Sequence, residues 1–281
     1  MLTLSQRLLG LTPRELRRAL PLFFYLFLTM AGTVASKAAR DALFLDRFDA
    51  TSLPYVDIAI ALLVGLVAGV YIRAGSRTNL RNVQMGSLLT FAVTAIAFWW
   101  TAVGTPGEAS GALFIAIYIW VGVLSVLAPS QVWTLANYMM TTREAKRAFG
   151  LIGGGAILGW IVGGLATREI VARFGTESTL LWVAGTLIAS AGIVWGVWGA
   201  RPYRVEGDTP ASEDEGGLWS SLGLVWDSPY LRSIASVILL AAVVTTITGW
   251  QFKAIAKRTF RRPTTSRCFS GRSTWWRGSS P

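Results

Sequence analysis

The chain of 281 residues contains no histidine and only one cysteine, Cys268. The absence of histidine excludes His-based metal sites and Cys/His nucleophiles, and a lone cysteine allows neither an internal disulfide nor a CxxC redox motif. The chain therefore lacks the residues that many enzymes use for catalysis. We predict that it is not an enzyme and that it holds no metal and no cofactor.

Charged residues are also scarce, at 15% of the chain, whereas an ordinary soluble domain carries about 25%. They leave seven charge-free windows, most of them close to the roughly 20 residues that a helix needs to cross a bilayer. The windows are 19–36, 58–72, 82–107, 109–142, 148–167, 178–200 and 233–252. One such window fits a buried helix of a soluble protein, but seven in series do not. The predicted fold is an all-α membrane protein.

Two of the windows have unusual lengths. The second is short, and residues 53–56 can lengthen it if Asp57 lies near a helix end or faces a watery cavity. The fourth is too long for one straight span and contains Pro129. We expect this proline to kink the helix or to end its buried part, which would leave residues 131–140 near or beyond the membrane face.

Basic residues are distributed unevenly among the loops. Thirteen fall on the side of the N-terminus and only five on the opposite side before the seventh helix ends. Because basic loops stay in the cytoplasm, we place the N-terminus there, in a multi-pass protein of the inner (cytoplasmic) membrane. The same anchoring residues explain the net charge of +11, so we predict a lipid bilayer and no nucleic acid as partner.

A polar stretch, 201–217, separates the sixth window from the seventh and contains two prolines and five acids. The predicted domains are a six-helix transmembrane bundle at 1–200, a polar cytoplasmic linker at 201–230, a seventh helix at 231–260 and a tail at 261–281. This order is typical of one half of a twelve-helix, major-facilitator-like carrier followed by the start of the other half.

The tail differs in composition from everything before it. Its 21 residues include five arginines and five serines but no Ala, Leu, Ile, Val, Asp or Glu. We interpret it as the product of a shifted reading frame that truncates the second bundle, with a disordered tail as the alternative.

A glycine-rich segment, FGLIGGGAILGWIVGG (149–164), opens the fifth helix. Gly150, Gly154, Gly159 and Gly163 follow one another at spacings of four, five and four. Small residues at such spacings let two membrane helices approach closely, so we predict helix packing, with a hinge or a substrate-facing surface as the alternative. No G-x-x-x-x-G-K-[ST] sequence occurs in the chain, so the glycines do not form a nucleotide-binding P-loop.

Two groups of polar residues are candidates for a transport path. Lys37, Arg40 and Asp41 share one face at the end of the first helix, either as an interfacial anchor or in the path of the substrate. Trp133 and Asn137 share a face near the end of the fourth window, where an interfacial tryptophan and a capping asparagine are the simpler interpretation.

Three segments together resemble the bacterial and plastid ATP/ADP translocases, which are nucleotide transporters related to the major facilitator superfamily. They are KAARDALFL (37–45) with LPY (53–55), WTLANYMMTTREAKRAFG (133–150) with the glycine-rich helix, and QFKAIA (251–256). The second segment is the most specific, because it matches W-x-x-x-N followed by E-A-K-R-x-[FY]-G. The resemblance covers the N-terminal half of such a transporter and one further helix.

This resemblance implies exchange of ATP and ADP by alternating access. It assigns substrate binding to Lys37, Arg40, Asp41, Trp133, Asn137 and Lys253, and a family motif in the loop to Glu144, Lys146 and Arg147. The region 111–131 has no charge, whereas ATP/ADP members carry an acid there, so another nucleotide or anion remains open. The alternatives are a permease for another solute and a nonfunctional truncated fragment, and the oligomeric state stays open.

Overall fold

Seven long α-helices make up the part of the chain that the structure describes. The computed structural model describes residues 12–48, 52–77, 79–104, 111–199, 226 and 228–260. The helices are α1 (Pro13–Arg47), α2 (Leu53–Arg77), α3 (Leu80–Gly104), α4 (Gly111–Met139), α5 (Thr142–Phe174), α6 (Thr179–Gly199) and α7 (Pro229–Phe260). All seven are long and apolar enough to cross a membrane, and the described ranges contain no strand. The prediction of an all-α, multi-pass chain is confirmed.

Helix α1 runs well beyond its charge-free window at both ends. It begins at a capping box, in which the Thr12 hydroxyl accepts from the Glu15 amide and the Glu15 carboxylate accepts from the Thr12 amide. It continues past Ser36 through an alanine-rich and leucine-rich segment, composed of good helix formers, to Arg47. The candidate charged residues of α1 therefore lie on a helix and not in a loop.

Helix α4 continues through Pro129 instead of losing its buried face there. The described residues beyond this proline include Gln131, Leu135 and Ala136, each 0% exposed, so the helix keeps a buried face on both sides of Pro129. The Ser130 hydroxyl donates to the Val126 carbonyl of the same helix at 2.7 Å. Packing against the bundle stabilises the turns on both sides of the proline.

Helix α1 lies at the centre of the bundle and packs against α4, α5 and α6. Helix α3 packs on α6, and α2 packs on α4. The main apolar core is formed where α1, α4 and α6 meet, around fully buried side chains such as Leu22, Leu26, Val132 and Val194. Because α1 is central, many of its side chains are buried against other helices, although residues such as Leu20, Phe24 and Lys37 remain exposed.

Three glycines allow α5 to lie directly against α1. A Cβ atom added at Gly155 would lie 2.5 Å from the Phe23 carbonyl oxygen, and one at Gly159 would lie 2.5 Å from the Phe27 carbonyl oxygen. At Gly163 it would lie 2.7 Å from backbone atoms of Ala31. The predicted packing role is thus confirmed for Gly159 and Gly163, and Gly155 joins them at a spacing of four.

The other two predicted glycines have no such role. A Cβ at Gly150 or Gly154 would meet no atom within 4 Å. The prediction of close packing at these two positions is wrong, because the contact ridge of α5 follows residues 155, 159 and 163. One residue turns a helix by about 100°, so Gly154 faces away from the side that Gly155 presents to α1.

Helix α7 lies at the margin of the other six. Its apolar side chains point outward along most of its length, with Val237 and Leu239 each 67% exposed. The span Pro229–Ala256 buries 0% of its apolar window inside the protein. Most of the predicted linker, 201–230, and all of the predicted tail, 261–281, lie outside the described residues.

Candidate functional site

Five polar side chains from four helices meet near the C-terminal end of α1. Arg40 and Asp41 of α1, Asp57 of α2, Tyr118 of α4 and Lys253 of α7 form this group, which we call the polar cluster. Asp41 Oδ1 accepts from Arg40 Nε and from Lys253 Nζ, each at 3.1 Å. Lys253 Nζ lies 3.5 Å from the Tyr118 hydroxyl, which donates to Asp57 Oδ1 at 3.2 Å. A continuous path of polar contacts therefore joins α1, α2, α4 and α7.

The Tyr118 ring holds the Arg40 guanidinium in place. Arg40 Cζ lies 4.2 Å from the ring centroid, which is within range of cation–π attraction. The same ring packs on Phe44 at a centroid distance of 4.8 Å, and Phe44 stacks on Phe48 at 4.9 Å. Together with the buried Leu53, these rings form an apolar floor beneath the polar cluster. The Arg40 side chain is consequently only 11% exposed.

The polar cluster has an excess of positive charge once its exposed neighbour Lys37 is included. Lys37 lies one helical turn before Arg40 and Asp41 and interacts electrostatically with Arg40, Asp41 and Lys253. Three cations thus face two carboxylates, Asp41 and Asp57, with a net charge of about +1 when all five groups are ionised. Partial burial strengthens the attraction of these cations for an anion relative to bulk water. The arrangement suits a multiply charged anion.

Four of the predicted substrate-binding residues, Lys37, Arg40, Asp41 and Lys253, are brought to one place. The remaining members of the polar cluster were missed as site residues. Asp57 had a signal, since it is the acid that interrupts an otherwise apolar segment. Tyr118 had a weaker one: a tyrosine inside an apolar helix needs a hydrogen-bond partner for its hydroxyl, and sequence alone does not show which.

Trp133 and Asn137 lie far from the polar cluster. They follow Tyr118 on α4 by 15 and 19 residues, which corresponds to roughly 22 and 28 Å along the helix axis. The Trp133 ring packs edge-on against Phe149 of α5 at a centroid distance of 5.3 Å, and Asn137 is exposed. The predicted substrate-binding set is therefore divided between two ends of the bundle.

The three predicted motif residues lie at the opposite end, where α1 and α5 begin, and they belong to the first turns of helix α5 and not to a loop as predicted, because the capping box of Thr141 starts the helix before them. Glu144 forms the capping box of α5 with Thr141 and pairs with Arg18 of α1 at 3.1 Å. In the reverse direction, Arg147 of α5 pairs with Glu15 of α1 at 3.8 Å. Both helices begin with the same T-x-x-E-x-x-R spacing, so each supplies one acid and one base to the other. Lys146, the third predicted motif residue, is exposed.

A third polar group lies inside the bundle. The Tyr25 hydroxyl donates to Gln131 Oε1 at 3.4 Å, and Gln131 Nε2 donates to the Ser87 hydroxyl at 2.8 Å. Gln84 Nε2 donates to the Gln131 backbone carbonyl at 3.0 Å. Tyr25, Gln84 and Gln131 are each 0% exposed, and the group links α1, α3 and α4. These bonds satisfy polar groups in an apolar interior and stabilise the packing of three helices.

No group of three or more acids, cysteines or histidines that could hold a metal ion occurs among the described residues. The polar cluster therefore offers ammonium, guanidinium and hydroxyl donors as its means of binding a ligand. Comparisons of the chain with family models, with curated proteins and with solved structures find no match.

Proposed function

We propose that this protein is a membrane carrier that exchanges nucleotides such as ATP and ADP by alternating access, and that it is not an enzyme. The observation that carries this proposal is the polar cluster, in which Arg40 and Lys253 come from separate helices of a multi-pass bundle. Arg40, Lys253 and the exposed neighbour Lys37 supply three cations at one place, which is the property that a site for a di- or triphosphate needs. The segments that resemble ATP/ADP translocases contain both cations.

The phosphate chain would bind where Asp41 now joins Arg40 to Lys253. A guanidinium presents a planar fork that matches two phosphate oxygens, whereas an ammonium acts as a point charge. The Tyr118 ring supports Arg40 from one side, and exposed Lys37 supplies a further cation at the mouth. The site therefore combines one planar guanidinium, which directs its hydrogen bonds, with two lysine ammonium groups.

The arrangement of helices supports a major-facilitator-like organisation. The six helices α1 to α6 form one bundle with α1 at its centre, and α7 lies outside it as the first helix of a second bundle would. In such carriers a site between two bundles opens alternately to either side of the membrane. The polar cluster joins α1 to α7 and therefore belongs to that interface. Arg40 lies seven residues before the end of α1, so it is closer to one end of the helix than to its middle.

In the proposed orientation, the N-terminus lies in the cytoplasm and the helices cross the inner membrane. A cysteine introduced at Pro106 should then react with an impermeant reagent added outside, and one introduced at Glu213 should not, in a Cys268→Ser background. The thirteen-to-five distribution of basic residues supports this expectation. The reverse labelling pattern would overturn the orientation and would place the polar cluster on the cytoplasmic side.

A carrier for another anionic solute is the second candidate. The described part of α4 has no charged residue from Gly111 to Met139, whereas the resemblance implies an acid in this region for ATP/ADP exchange. A site that recognises phosphate without this acid could accept other phosphorylated or polyanionic molecules.

Uptake experiments separate these candidates. Alternating access needs two bundles, and the described residues supply one bundle and α7, so uptake is measured with a chain that carries a second bundle. Proteoliposomes that contain this chain and internal ADP should take up labelled ATP saturably, and Arg40→Gln should abolish most of this uptake. Arg168→Gln, which removes a charge from an exposed position of α5, is the matched control and should retain it. Saturable uptake of inorganic polyphosphate or sugar phosphate without nucleotide uptake would favour the second candidate. Nucleotide uptake that is unaffected by Arg40→Gln would remove the polar cluster from the mechanism.

A further inference from the structure

The two carboxylates of the polar cluster differ in what they contact. Asp41 Oδ1 is shared by Arg40 Nε and Lys253 Nζ, at 3.1 Å from each. Asp57 Oδ1 instead accepts from the neutral hydroxyl of Tyr118 at 3.2 Å. A single Asp41 oxygen therefore neutralises cations from two helices, and Lys253, the cation from α7, lies 212 positions from Asp41 along the chain.

We propose that Asp41 is a resident counter-anion that the phosphate chain of the substrate displaces from Arg40 and Lys253. The inference rests on the proposed function, since it assigns a role to one residue of that site. A phosphate oxygen within hydrogen-bond distance of both cations would lie where Asp41 Oδ1 now lies, and two anions repel each other at such distances. Asp41 and the substrate are therefore competitors and do not cooperate in binding.

This competition makes Asp41 a specificity-determining residue. An anion gains little by entering unless it satisfies both cations, because otherwise it replaces two charge-assisted hydrogen bonds with one. Condensed phosphates, in which adjacent phosphoryl groups offer oxygens on both sides, meet this requirement. Anions with one small charged group meet it less well, so Asp41 selects against them.

The same exchange changes what holds α7 to α1. In the structure, the Lys253–Asp41 pair is a direct polar bond between them, while the apolar face of α7 is exposed. When a phosphate chain replaces Asp41, the ligand itself bridges Arg40 and Lys253. Substrate binding is thereby coupled to the contact between the six-helix bundle and the helix beside it.

A binding measurement on the full chain in lipid nanodiscs tests the inference, with inorganic pyrophosphate and sulfate as probes. Asp41→Asn should bind pyrophosphate about tenfold more tightly than the wild type, because a competing anion is removed while the shape is kept. Its preference for pyrophosphate over sulfate should also decrease. The matched control is Glu169→Gln, which removes an exposed acid from α5 and should change affinity by less than about twofold.

A second measurement uses the wild-type protein, so it does not depend on whether the variant folds. Pyrophosphate binding should change the carboxylate stretching bands in an infrared difference spectrum, because the Asp41 carboxylate loses two cations. Asp41→Asn should lack this change. A wild-type spectrum without a carboxylate change at saturation would overturn the inference.

The outcomes distinguish the inference from the proposed function. If Arg40→Gln weakens pyrophosphate binding and Asp41→Asn also weakens it, Asp41 orients Arg40 and the counter-anion role is wrong, while the carrier proposal stands. If neither the wild type nor Asp41→Asn binds pyrophosphate, ADP or ATP, the proposed function and the inference both fail. Tighter binding by Asp41→Asn together with the carboxylate change supports the inference.

Discussion

The two ends of the helix pair α1 and α5 use similar charged residues but arrange them differently. Where the helices begin, Glu15 and Glu144 each close a capping box and each pair with an arginine of the other helix. Toward the C-terminal end of α1, Asp41 is shared between Arg40 and Lys253, and the surroundings have a surplus of positive charge. At the first end the ion pairs are balanced, with one base for each acid, whereas at the second end one carboxylate oxygen is shared by two cations that an incoming anion can also bind.

The comparison also shows why neighbouring charges differ in purpose. Side chains at the beginning of α1 and α5 satisfy amide groups that the helices leave without partners, so their positions follow from helix geometry. The charges near the end of α1 satisfy no such requirement, and an aromatic floor holds them in place. We therefore expect substitutions at the first end to change stability and substitutions at the second to change ligand affinity.

The largest effect on affinity is expected for Arg40→Gln. Loss of one charge-assisted contact costs about 1.5 to 3 kcal/mol, which corresponds to roughly a tenfold to hundredfold decrease in nucleotide affinity. Lys37→Gln should cost less, because Lys37 is exposed and its ammonium is screened by water. Calorimetric titration with ATP measures both, and Arg168→Gln serves as the control. Equal affinities for Arg40→Gln and the control would remove the distinction between the two ends.

The next effect concerns stability and tests the close contact between α1 and α5, which lies between the two ends of this helix pair. Gly159→Val places side-chain atoms against the Phe27 carbonyl and Met30, so the helices must separate. Overpacking of this kind costs about 1 to 3 kcal/mol. Gly154→Val is the matched control, since its Cβ meets no atom within 4 Å. Thermal unfolding in detergent should show a lower Tm for Gly159→Val alone, and equal Tm values would contradict the packing.

A smaller loss of stability is expected for Glu144→Ala at the balanced end. The substitution removes a capping carboxylate and a half-exposed ion pair with Arg18, together worth about 0.5 to 2 kcal/mol. Glu144→Gln should recover part of the loss, because glutamine also completes a capping box. The Tm should decrease while nucleotide affinity stays unchanged. A variant with normal Tm and weakened binding would show that this end also contacts the ligand.

The smallest effect is expected for Tyr118→Phe, which keeps the ring under Arg40 and removes the hydroxyl between Asp57 and Lys253. Loss of one neutral hydrogen bond costs about 0.5 to 1.5 kcal/mol, so nucleotide affinity should fall roughly twofold to tenfold. Tyr118→Leu should have a larger effect, because it also removes the cation–π contact. If the two variants behave alike, the ring has no role in holding Arg40.

Much of the helix layout was predictable, since charge-free windows follow from the cost of placing charges in hydrocarbon. The sixth window, 178–200, differs from α6 (Thr179–Gly199) by one residue at each end. The ends of α1 were less predictable, because helix propensity and a capping box extend it into charged sequence. The effect of Pro129 was less predictable for a related reason: a proline weakens one turn, but the packing of Leu135 and Ala136 stabilises the turns beyond it.

The candidate site was predictable only in part. Residues close in the sequence, such as Arg40 and Asp41, can be grouped by helical spacing, and the same spacing joins Trp133 to Asn137. Spacing does not show that the second pair lies more than about 20 Å from the first, because that distance depends on how α4 crosses α1. Tyr118 carried only a weak signal, a tyrosine inside an apolar helix, since its role arises from the side chains around it.

By itself, the sequence determined the composition of the protein in physical terms: seven apolar helices, a polar stretch after the sixth, few charges and no histidine. These properties depend on residues that are near one another in the chain, because each segment's own side chains set its preference for water or hydrocarbon. Only the tertiary structure decided that Lys253 meets Asp41, that Gly155 and not Gly154 contacts α1, and that two of the predicted residues lie at the other end. Each of these depends on which faces of different helices pack together, and that choice is made by the fit of many side chains at once.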